Sequence, residues 1–317
     1  MTIMSNATVA VAAKVNKDDI PFNPKVHYKK KPSDWVIDII IWLLLAFVVI
    51  AVLYPLWFVI ISSFSSPNAV ASGDVTFLPK DITLAGYEAV FKNDQIWNGY
   101  LNTIIYTVLG TIVNLVVTIP CAFALSRAEF KARRVIMFLF TVTMFFSGGL
   151  VPTYLLYQQL DILNTPLVFI LPGAISAYNV IVARTFFETS IPEELHDAAQ
   201  IDGMSYFGYF FRIVIPLSSA IIAVIGLYCF VAHWNDYMTG LIYVTDTNKW
   251  PLQNVLQQIL IVNASSSQSA ASASDQQQIA DQLKFAIIII STLPLLVLYP
   301  FLQKYFNKGV MLGAVKG

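Results

Sequence analysis

The stretch that decides the fold is EELHDAAQIDGMSYFGYFFRIVIP, which runs from Glu193 to Pro216. Its first half is rich in acidic residues and has the residue spacing of a helix. The whole stretch lies between two long apolar segments. The segment Ser190–Pro192 comes directly before the acidic residues, which is typical of a helix start because carboxylates complement the positive end of a helix dipole. Gly203 then favours a helix end or a turn. The sequence therefore predicts a short charged helix within an otherwise apolar chain.

The chain as a whole has the composition of a membrane protein. Of its 317 residues, 57% are hydrophobic and 12% are charged, against about 25% charged residues in soluble domains. A soluble protein would not repeat charge-poor runs of bilayer length. The formal net charge is zero, so no basic face is available to bind nucleic acid by releasing its counterions. We therefore expect membrane lipid, and no nucleic acid, around this chain.

Six segments are long and apolar enough to cross a membrane, since the hydrocarbon core requires about 20 helical residues. They are Ile39 to Ser62, Leu101 to Leu125, Val135 to Tyr157, Pro166 to Phe187, Ile213 to Ala232 and Phe285 to Phe306. The fold class is thus predicted as all-α, a polytopic membrane protein with six transmembrane helices. The polar N-terminal segment lacks the pattern of a removable signal peptide, so the first span is expected to act as the insertion signal.

Lysine and arginine residues predict the orientation. With the N-terminus in the cytoplasm, fifteen of the nineteen lie on inner segments. Because positive charge favours the cytoplasmic side, both termini are predicted to be cytoplasmic. The predicted domains are a cytoplasmic N-terminal segment, residues 1–34; a transmembrane domain, 35–306, with a cytoplasmic loop at 188–212 and an extracytoplasmic loop at 233–284; and a cytoplasmic tail, 307–317.

The charged helix suits contact with a protein better than contact with lipid. Glu194, Asp197 and Ile201 share one face at helical spacing. The alternative is an amphipathic connector lying on the membrane, but such helices usually carry basic residues toward anionic headgroups. This segment is acidic from Glu188 through Asp202. Its acids and small alanines favour docking into a cleft of a partner protein.

These residues resemble the EAA loop of bacterial ABC importer permeases, written E-A-A, three residues, G, nine residues, I-x-L-P. Here Asp197-Ala198-Ala199 is followed after three residues by Gly203 and after nine more by Ile213. A shorter Asp stands in the first position, and Ile215 replaces the Leu. The preceding segment Ile191–Leu195 looks like that of the carbohydrate-uptake branch of the family.

The resemblance implies a type I ABC importer permease architecture in the bacterial cytoplasmic membrane. It implies one transmembrane subunit of an ATP-driven, binding-protein-dependent oligosaccharide importer. The implied partners are a second homologous permease subunit, two ATP-binding subunits and an extracytoplasmic solute-binding protein. ATP and Mg would be bound by the ATPase subunits, with no cofactor in this chain. The implied ATPase-coupling residues are Glu194, Asp197, Ala198, Ala199, Asp202 and Gly203.

Two further segments are similar to contacts in maltose-type permeases. The C-terminal tail resembles the glycine-rich tail that reaches the ATPases there, with Gly309, Gly313, Lys316 and Gly317 as the implied contacts. A frayed chain end is the alternative. Val255–Asp281 would correspond to the loop that reaches the solute-binding protein. A disordered spacer is the alternative for this loop, because the stretch is rich in Ser, Ala and Gln.

The sequence shows no catalytic motif. It has no G-x-x-x-x-G-K-[ST] phosphate-binding motif and no His or Cys cluster at metal-ligand spacing. Cys121 and Cys229 lie singly in apolar segments, where a cysteine is usually a small buried hydrophobe. His27, His196 and His233 are isolated in sequence, so surface or boundary positions are expected for them. We expect no enzyme activity and no metal site.

Polar residues within the spans are the candidates for a substrate path, because they are costly against lipid. The candidates are Asn102, Asn114, Asn179, Trp234, Asn235 and Tyr237. For the asparagines, capping or bonding between helices is the alternative, and Trp and Tyr also form the interfacial belt of membrane proteins. The rival function is an ion-gradient-driven secondary transporter, which would be expected to show buried acids and an internal inverted repeat. Neither is evident in the sequence.

Overall fold

The computed structural model describes residues 32–266, 283–297 and 300. Within these ranges the regular structure is helical and contains no strand, which confirms the all-α prediction there. The chain divides into two compact units, Met1–Leu56 and Trp57–Gly317. In the first unit, the side chains described from Trp35 onward are almost all exposed. A helix that is apolar on all sides suits a lipid surrounding.

The helices are numbered in chain order. They are α1 Pro32–Phe64, α2 Pro67–Ala71, α3 Ala85–Lys92, α4 Asp94–Ser126, α5 Arg133–Phe145, α6 Leu150–Gln159, α7 Leu167–Ile170 and α8 Ala177–Ser190. There follow α9 Glu193–Ile201, α10 Tyr206–Tyr209, α11 Ile215–Leu217, α12 Ser219–Trp234, α13 Met238–Tyr243, α14 Leu252–Ser266 and α15 Leu283–Val297. A π-helix, Phe210–Val214, joins α10 to α11, and a 3-10 turn, Thr247–Lys249, precedes α14.

Two helices are by themselves long and apolar enough to cross a membrane, namely α1 over Trp35–Phe64 and α4. Two further pairs pass the same test together but are bent: α5 with α6 by 115°, and Tyr206–Leu217 with α12 by 79°. Counting each bent pair as one span gives up to four among the described residues. The fourth predicted span is interrupted between α7 and α8, and the count of six spans stays a prediction.

The local sequence explains the interruption between α7 and α8. Pro172 has no backbone N–H with which to continue a helix. Gly173 has a φ of +76°, a backbone conformation that glycine adopts at no steric cost. Ser176 then precedes α8 in an extended conformation. Residues 171–176 therefore form irregular backbone in the middle of a predicted span.

α4 is the helix around which the second unit is organised. It packs against α8, α12 and α14. Phe123 of α4 meets Phe187 of α8 edge to face, with ring centroids 5.7 Å apart. Val180 of α8 and Ile225 of α12 are fully buried in the same apolar cluster. The main core therefore lies between α4, α8 and α12.

The N-terminal end of α4 carries a second apolar cluster. Ile96 packs there with Leu252 and Val255 of α14 and with Ile287 of α15. Thr103 Oγ1 accepts a hydrogen bond of 2.7 Å from the Leu252 backbone N–H. The segment 233–284, predicted as one long loop, thus contains α13 and α14, and α14 is packed against α4.

α4 and α12 approach each other closely at Gly110. A Cβ atom built on Gly110 would lie 2.5 Å from Nε2 of His233. On α12, Gly226 offers more room, since a Cβ there would lie 3.5 Å from the nearest atom, Cδ1 of Leu115. Glycine is therefore required by close packing at Gly110 and not at Gly226.

We expect Gly110→Ala to lower the free energy of unfolding by about 1 to 3 kcal/mol, the usual cost of overpacking a core. Gly226→Ala is the matched control, because its methyl group meets an ordinary contact and alanine favours a helix over glycine by up to about 1 kcal/mol. Thermal unfolding in detergent, followed by tryptophan fluorescence, compares the two. Equal stability of the two variants would contradict the close approach.

Candidate functional site

α9 presents two faces of different chemistry. His196 and Ala199 are only 5% and 3% exposed, and Ala199 belongs to the main core. Glu194, Asp197 and Ala198 are exposed on the other side. The two adjacent alanines of the motif therefore differ in environment: Ala199 packs within this chain, while Ala198 is exposed.

Gly203 ends α9 through a Schellman motif. Its φ is +72°, its N–H donates to the Gln200 carbonyl at 3.0 Å, and the Met204 N–H donates to the Ala199 carbonyl at 2.9 Å. A Cβ atom at Gly203 would meet nothing within 4 Å. The backbone conformation, and not a lack of space, requires glycine here. The predicted helix end at Gly203 is confirmed.

The start of α9 differs from the sequence prediction. Ser190 is the last residue of α8, and the N-cap of α9 is Pro192, which makes no side-chain capping bond. Glu193 and Glu194 do occupy the first turn. The first N–H groups of α9 are therefore stabilised by the charge of these carboxylates and not by a capping side chain.

His196 is buried under α9, so its expected position at a surface or boundary is wrong. Its ring centroid lies 4.7 Å from that of Tyr206 and 5.1 Å from that of Tyr209. Its Nε2 lies 3.3 Å from Nε2 of Gln200, and its Nδ1 lies 3.7 Å from Oε1 of Glu129. Most of these partners come from other elements, which is why isolation in sequence was misleading.

Glu129 lies in the turn between α4 and α5 and reaches the same group. The Tyr206 hydroxyl donates a hydrogen bond to Oε2 of Glu129. Beside them opens a mainly apolar cavity of about 400 Å³, to whose lining Phe123, Phe130 and Phe210 contribute. No sequence motif indicated Glu129 or Tyr206.

Two arginines join the C-terminal ends of α4 and α8. Arg127 is buried and donates from its guanidinium to the Phe187 carbonyl of α8 at 3.3 Å. Arg184 of α8 donates in return to the Leu125 carbonyl of α4 at 3.1 Å and pairs with Glu188 at 2.7 Å. The last carbonyls of a helix lack helical partners and carry partial negative charge. Each arginine therefore stabilises the end of the other helix, next to α9.

Asn114 is the centre of a polar group in the interior. Its Nδ2 donates to the Gly173 carbonyl at 2.7 Å, and its Oδ1 lies 2.8 Å from Nε2 of His233. Gly173 belongs to the irregular segment between α7 and α8. Irregular backbone groups lack helical partners, and Asn114 supplies one for the Gly173 carbonyl. It thereby joins α4, this irregular segment and α12.

A cavity of about 390 Å³ opens beside Asn114. It is lined by Asn114, Gly173, Ser176, Tyr178, Asn179, Tyr228, Cys229 and Ala232. Asn179 is buried, and its amide reaches Sγ of Cys229 at 3.5 Å. Tyr178 and Tyr228 are exposed. The cavity thus combines amide and hydroxyl groups with two aromatic rings, and it contains two of the predicted path residues.

Asn102, another predicted path residue, holds a turn of the chain. Its Nδ2 donates to the carbonyls of Asn248 and Trp250 at 2.8 and 3.1 Å. Asn102 lies inside α4 and bonds to a turn, so it is not the cap of a helix. Asn102 therefore fixes the turn before α14 to α4.

The predicted cluster after α12 separates into buried and accessible residues. Trp234 is 2% exposed, and its Nε1 donates to the Ser291 carbonyl at 3.1 Å. Its ring is packed in the core and is not open to a ligand. Asn235 is exposed and Tyr237 is half-buried.

Several predicted contacts lie outside the described residues. They are Gly309, Gly313, Lys316 and Gly317 of the tail, together with residues 267–281 of the Val255–Asp281 segment. Val255 itself is buried against α4. In the described ranges no group of three or more His, Cys, Asp or Glu residues is placed to hold a metal ion.

The features around α4, α9 and α12 fall within one matched region. Residues 96–312 match the family of binding-protein-dependent transport system inner membrane components. The chain belongs to this family. As an inner membrane component, it is the membrane part of a transport system that has further components. The matched region contains the acidic face of α9, Gly203 and the Asn114 cavity.

Relatives of this inner membrane component include transport permeases. It is 40% identical over 275 residues to the polygalacturonan/rhamnogalacturonan transport system permease protein YtcP of Bacillus subtilis (strain 168), covering 86% of this chain and 96% of that protein. Protein LplC of the same organism is 38% identical over 263 residues, which are 83% of this chain and 89% of LplC.

A solved structure shows the same fold. It is a chain of a bacterial ABC transporter involved in the import of the acidic polysaccharide alginate. The two chains superpose with a TM-score of 0.80 at 31% sequence identity, covering 87% of this chain and 99% of that one. The helical arrangement around α4 is therefore that of an ABC transporter membrane subunit.

We expect Asn114→Ala to destabilise the protein, because it removes the hydrogen bonds to the Gly173 carbonyl and to the His233 ring, and a typical hydrogen bond contributes about 0.5 to 1.5 kcal/mol. Asn114→Ala and His233→Ala should be non-additive by about 0.5 to 3 kcal/mol, as expected for residues in contact. Thermal unfolding of both single variants and the double variant measures this. Asn102→Ala with His233→Ala is the control pair and should be additive; additivity of the first pair would contradict the Asn114 network.

Proposed function

We propose that this chain is one of two membrane subunits of an ATP-driven, binding-protein-dependent importer of oligosaccharides. The observation that carries the proposal is the exposed acidic face of α9, closed by Gly203 at the spacing of an EAA loop, in a chain of this family. The relatives named for polygalacturonan, rhamnogalacturonan and alginate support polysaccharide fragments as the cargo. The family assignment favours this function over ion-gradient-driven transport.

The proposed complex contains this chain, a second homologous permease subunit, two ATP-binding subunits and an extracytoplasmic solute-binding protein. ATP and Mg are bound by the ATP-binding subunits. α9 and both termini face the cytoplasm in this proposal. The bias of lysine and arginine supports that orientation, and Arg127 and Arg184 concentrate positive charge beside α9.

α9 is proposed to dock into an ATP-binding subunit. Glu194, Asp197 and Asp202 supply charge, and Ala198 allows close approach of the partner. Ile201, which is 86% exposed, adds apolar area to the contact. Asp197 is shorter than the glutamate of the motif, so an ion pair from it requires a closer partner.

Movement of the docked helix is proposed to reach the membrane spans through its buried face. Ala199 and His196 rest on the core between α4, α8 and α12. When ATP binding brings the two ATP-binding subunits together, displacement of α9 shifts these helices and biases the complex between inward-facing and outward-facing packing. The glycine-rich tail, with Gly309, Gly313, Lys316 and Gly317, is proposed as a second contact with the same subunits.

The Asn114 cavity is proposed as this chain's part of the sugar path. Asn114 and Asn179 provide amide groups for sugar hydroxyls, and Tyr178 and Tyr228 provide exposed rings for the apolar faces of sugar units. Asn235 and Tyr237 follow the end of α12, on the side proposed for the solute-binding protein. The Val255–Asp281 segment is proposed to contact that protein. Trp234 and Asn102 are not part of the proposed path: Trp234 is packed in the core and Asn102 holds the turn before α14.

We expect Gly203→Val to release the ATP-binding subunit while keeping the second permease, because a side chain in the left-handed region costs about 1 to 2 kcal/mol and disturbs the end of α9. Gly203→Asn should retain most of the ATP-binding subunit, since asparagine tolerates this conformation. Affinity purification in mild detergent, with mass spectrometry of the recovered proteins, measures the loss.

Gly73→Val is the matched control for Gly203. Gly73 also has a positive φ, +76°, and also meets nothing within 4 Å, but it lies after α2 and outside the proposed ATPase contact. We expect it to retain the ATP-binding subunit. A wild-type chain that purifies without a second permease or an ATP-binding subunit would refute the importer proposal.

We expect Tyr178→Ala and Tyr228→Ala each to lower oligosaccharide uptake about tenfold, corresponding to roughly 1.4 kcal/mol of lost interaction. Tyr54→Ala, an exposed tyrosine of α1, is the control and should transport normally. Uptake of a mixed oligogalacturonate digest into proteoliposomes holding the purified complex measures the rates. Normal uptake by both cavity variants would exclude the cavity from the sugar path.

A further inference from the structure

One carboxylate connects the turn after α4 to the helix that docks. Its oxygens face different partners: Oε2 of Glu129 accepts the Tyr206 hydroxyl hydrogen bond, and Oε1 lies 3.7 Å from Nδ1 of His196. His196 belongs to α9, and Tyr206 begins α10. We call these three residues the Glu129 clasp. It joins parts of the chain that are more than sixty residues apart in sequence.

Other contacts hold both sides of the Glu129 clasp in place. Arg127, two residues before Glu129, is held by the Phe187 carbonyl and lies over the Phe123 ring, with 5.0 Å from its guanidinium carbon to the ring centroid. On the other side, the His196 ring is packed between α9 and Tyr206 and Tyr209. The carboxylate therefore links two supported elements and not two loose ends.

We propose that Glu129 is a positioning residue that makes the α4–α5 turn move together with α9, so that displacement of α9 reaches α4 through this carboxylate as well as through the apolar core. The inference rests on the proposed function of α9 as the docking helix. Without the clasp, α9 is tied to α4 by the core contacts of Ala199 and by the chain through α8 and α10.

The exposure of the clasp sets the kind of contribution it makes. The Glu129 side chain is 62% exposed, and contacts of exposed charged groups stabilise a fold only weakly. Removing the carboxylate should therefore leave the folded chain and its assembly intact. Its loss should lower the coupling of ATP hydrolysis to transport, because that coupling requires α4 to move together with α9.

The test uses the complete complex in proteoliposomes with its solute-binding protein and the mixed oligogalacturonate digest as probe. The readout is the amount of sugar taken up per ATP hydrolysed. We expect Glu129→Ala and Tyr206→Phe each to lower this ratio on the order of threefold to tenfold, the range for positions that modulate coupling. Glu129→Gln should restore most of it, because the amide oxygen still accepts the Tyr206 hydroxyl.

The double variant provides a second readout. Because Glu129→Ala already removes both contacts of the carboxylate, Glu129→Ala with Tyr206→Phe should be no worse than Glu129→Ala alone. Glu88→Ala, which removes an exposed acid of α3, is the control and should keep the wild-type ratio. A wild-type ratio in Glu129→Ala, or independent and additive losses in the double variant, would overturn the proposal.

The outcomes also separate this inference from the function on which it rests. If the wild-type complex shows no ATP-dependent uptake, or recovers no ATP-binding subunit, the importer proposal fails. If the wild type transports and Glu129→Ala recovers the same subunits with an unchanged ratio, only the clasp fails. Loss of the ATP-binding subunit from Glu129→Ala would also overturn it, since that result places Glu129 in assembly and not in transmission.

Discussion

Backbone that leaves a helix loses its helical hydrogen-bond partners, and the fold around α4 depends on how this chain replaces them. The irregular segment 171–176 leaves backbone groups without helical partners, and Asn114 donates a hydrogen bond to one of them, the Gly173 carbonyl. Asn114 in turn orients His233, whose ring needs the space that Gly110 leaves on α4. The pairing of one carbonyl thus involves a side chain and a glycine of α4 and a ring of α12.

The local parts of this structure could be predicted from the sequence, and the contacts between distant parts could not. Acidic composition and residue spacing predict α9, and Gly203 predicts its end. The length of the apolar run predicts α4. Pro172 indicates a bend or a helix end, but it lies with Gly173 in a run whose hydropathy is that of a span, so the sequence predicts one continuous span there. His196, Glu129 and Tyr206 carry no local pattern that places them together. Their arrangement depends on how α4 and α9 pack, which hydropathy does not encode.

The π-helix Phe210–Val214 changes the helical periodicity after α9. A π-turn closes its hydrogen bonds over five residues and not four, so side chains beyond it face a different side than an unbroken α-helix would give them. Phe210 and Val214 are buried in the core while Phe211 is exposed. The wider turn comes between α9 and α12, and it sets which apolar residues of this region enter the core.

The two ends of α4 are held by bonds of different kinds. At the N-terminal end, Asn102 and Thr103 make neutral hydrogen bonds to backbone groups before and in α14. At the C-terminal end, the bonds involve the charges of Arg127, Arg184 and Glu129. Dissolved ions screen charges, most strongly where the groups are exposed, and leave neutral hydrogen bonds almost unaffected. Of these groups Glu129 is 62% exposed while Arg127 is buried, so the salt of the surrounding solution acts mainly on the contact between Glu129 and α9 and much less on the arginine bonds.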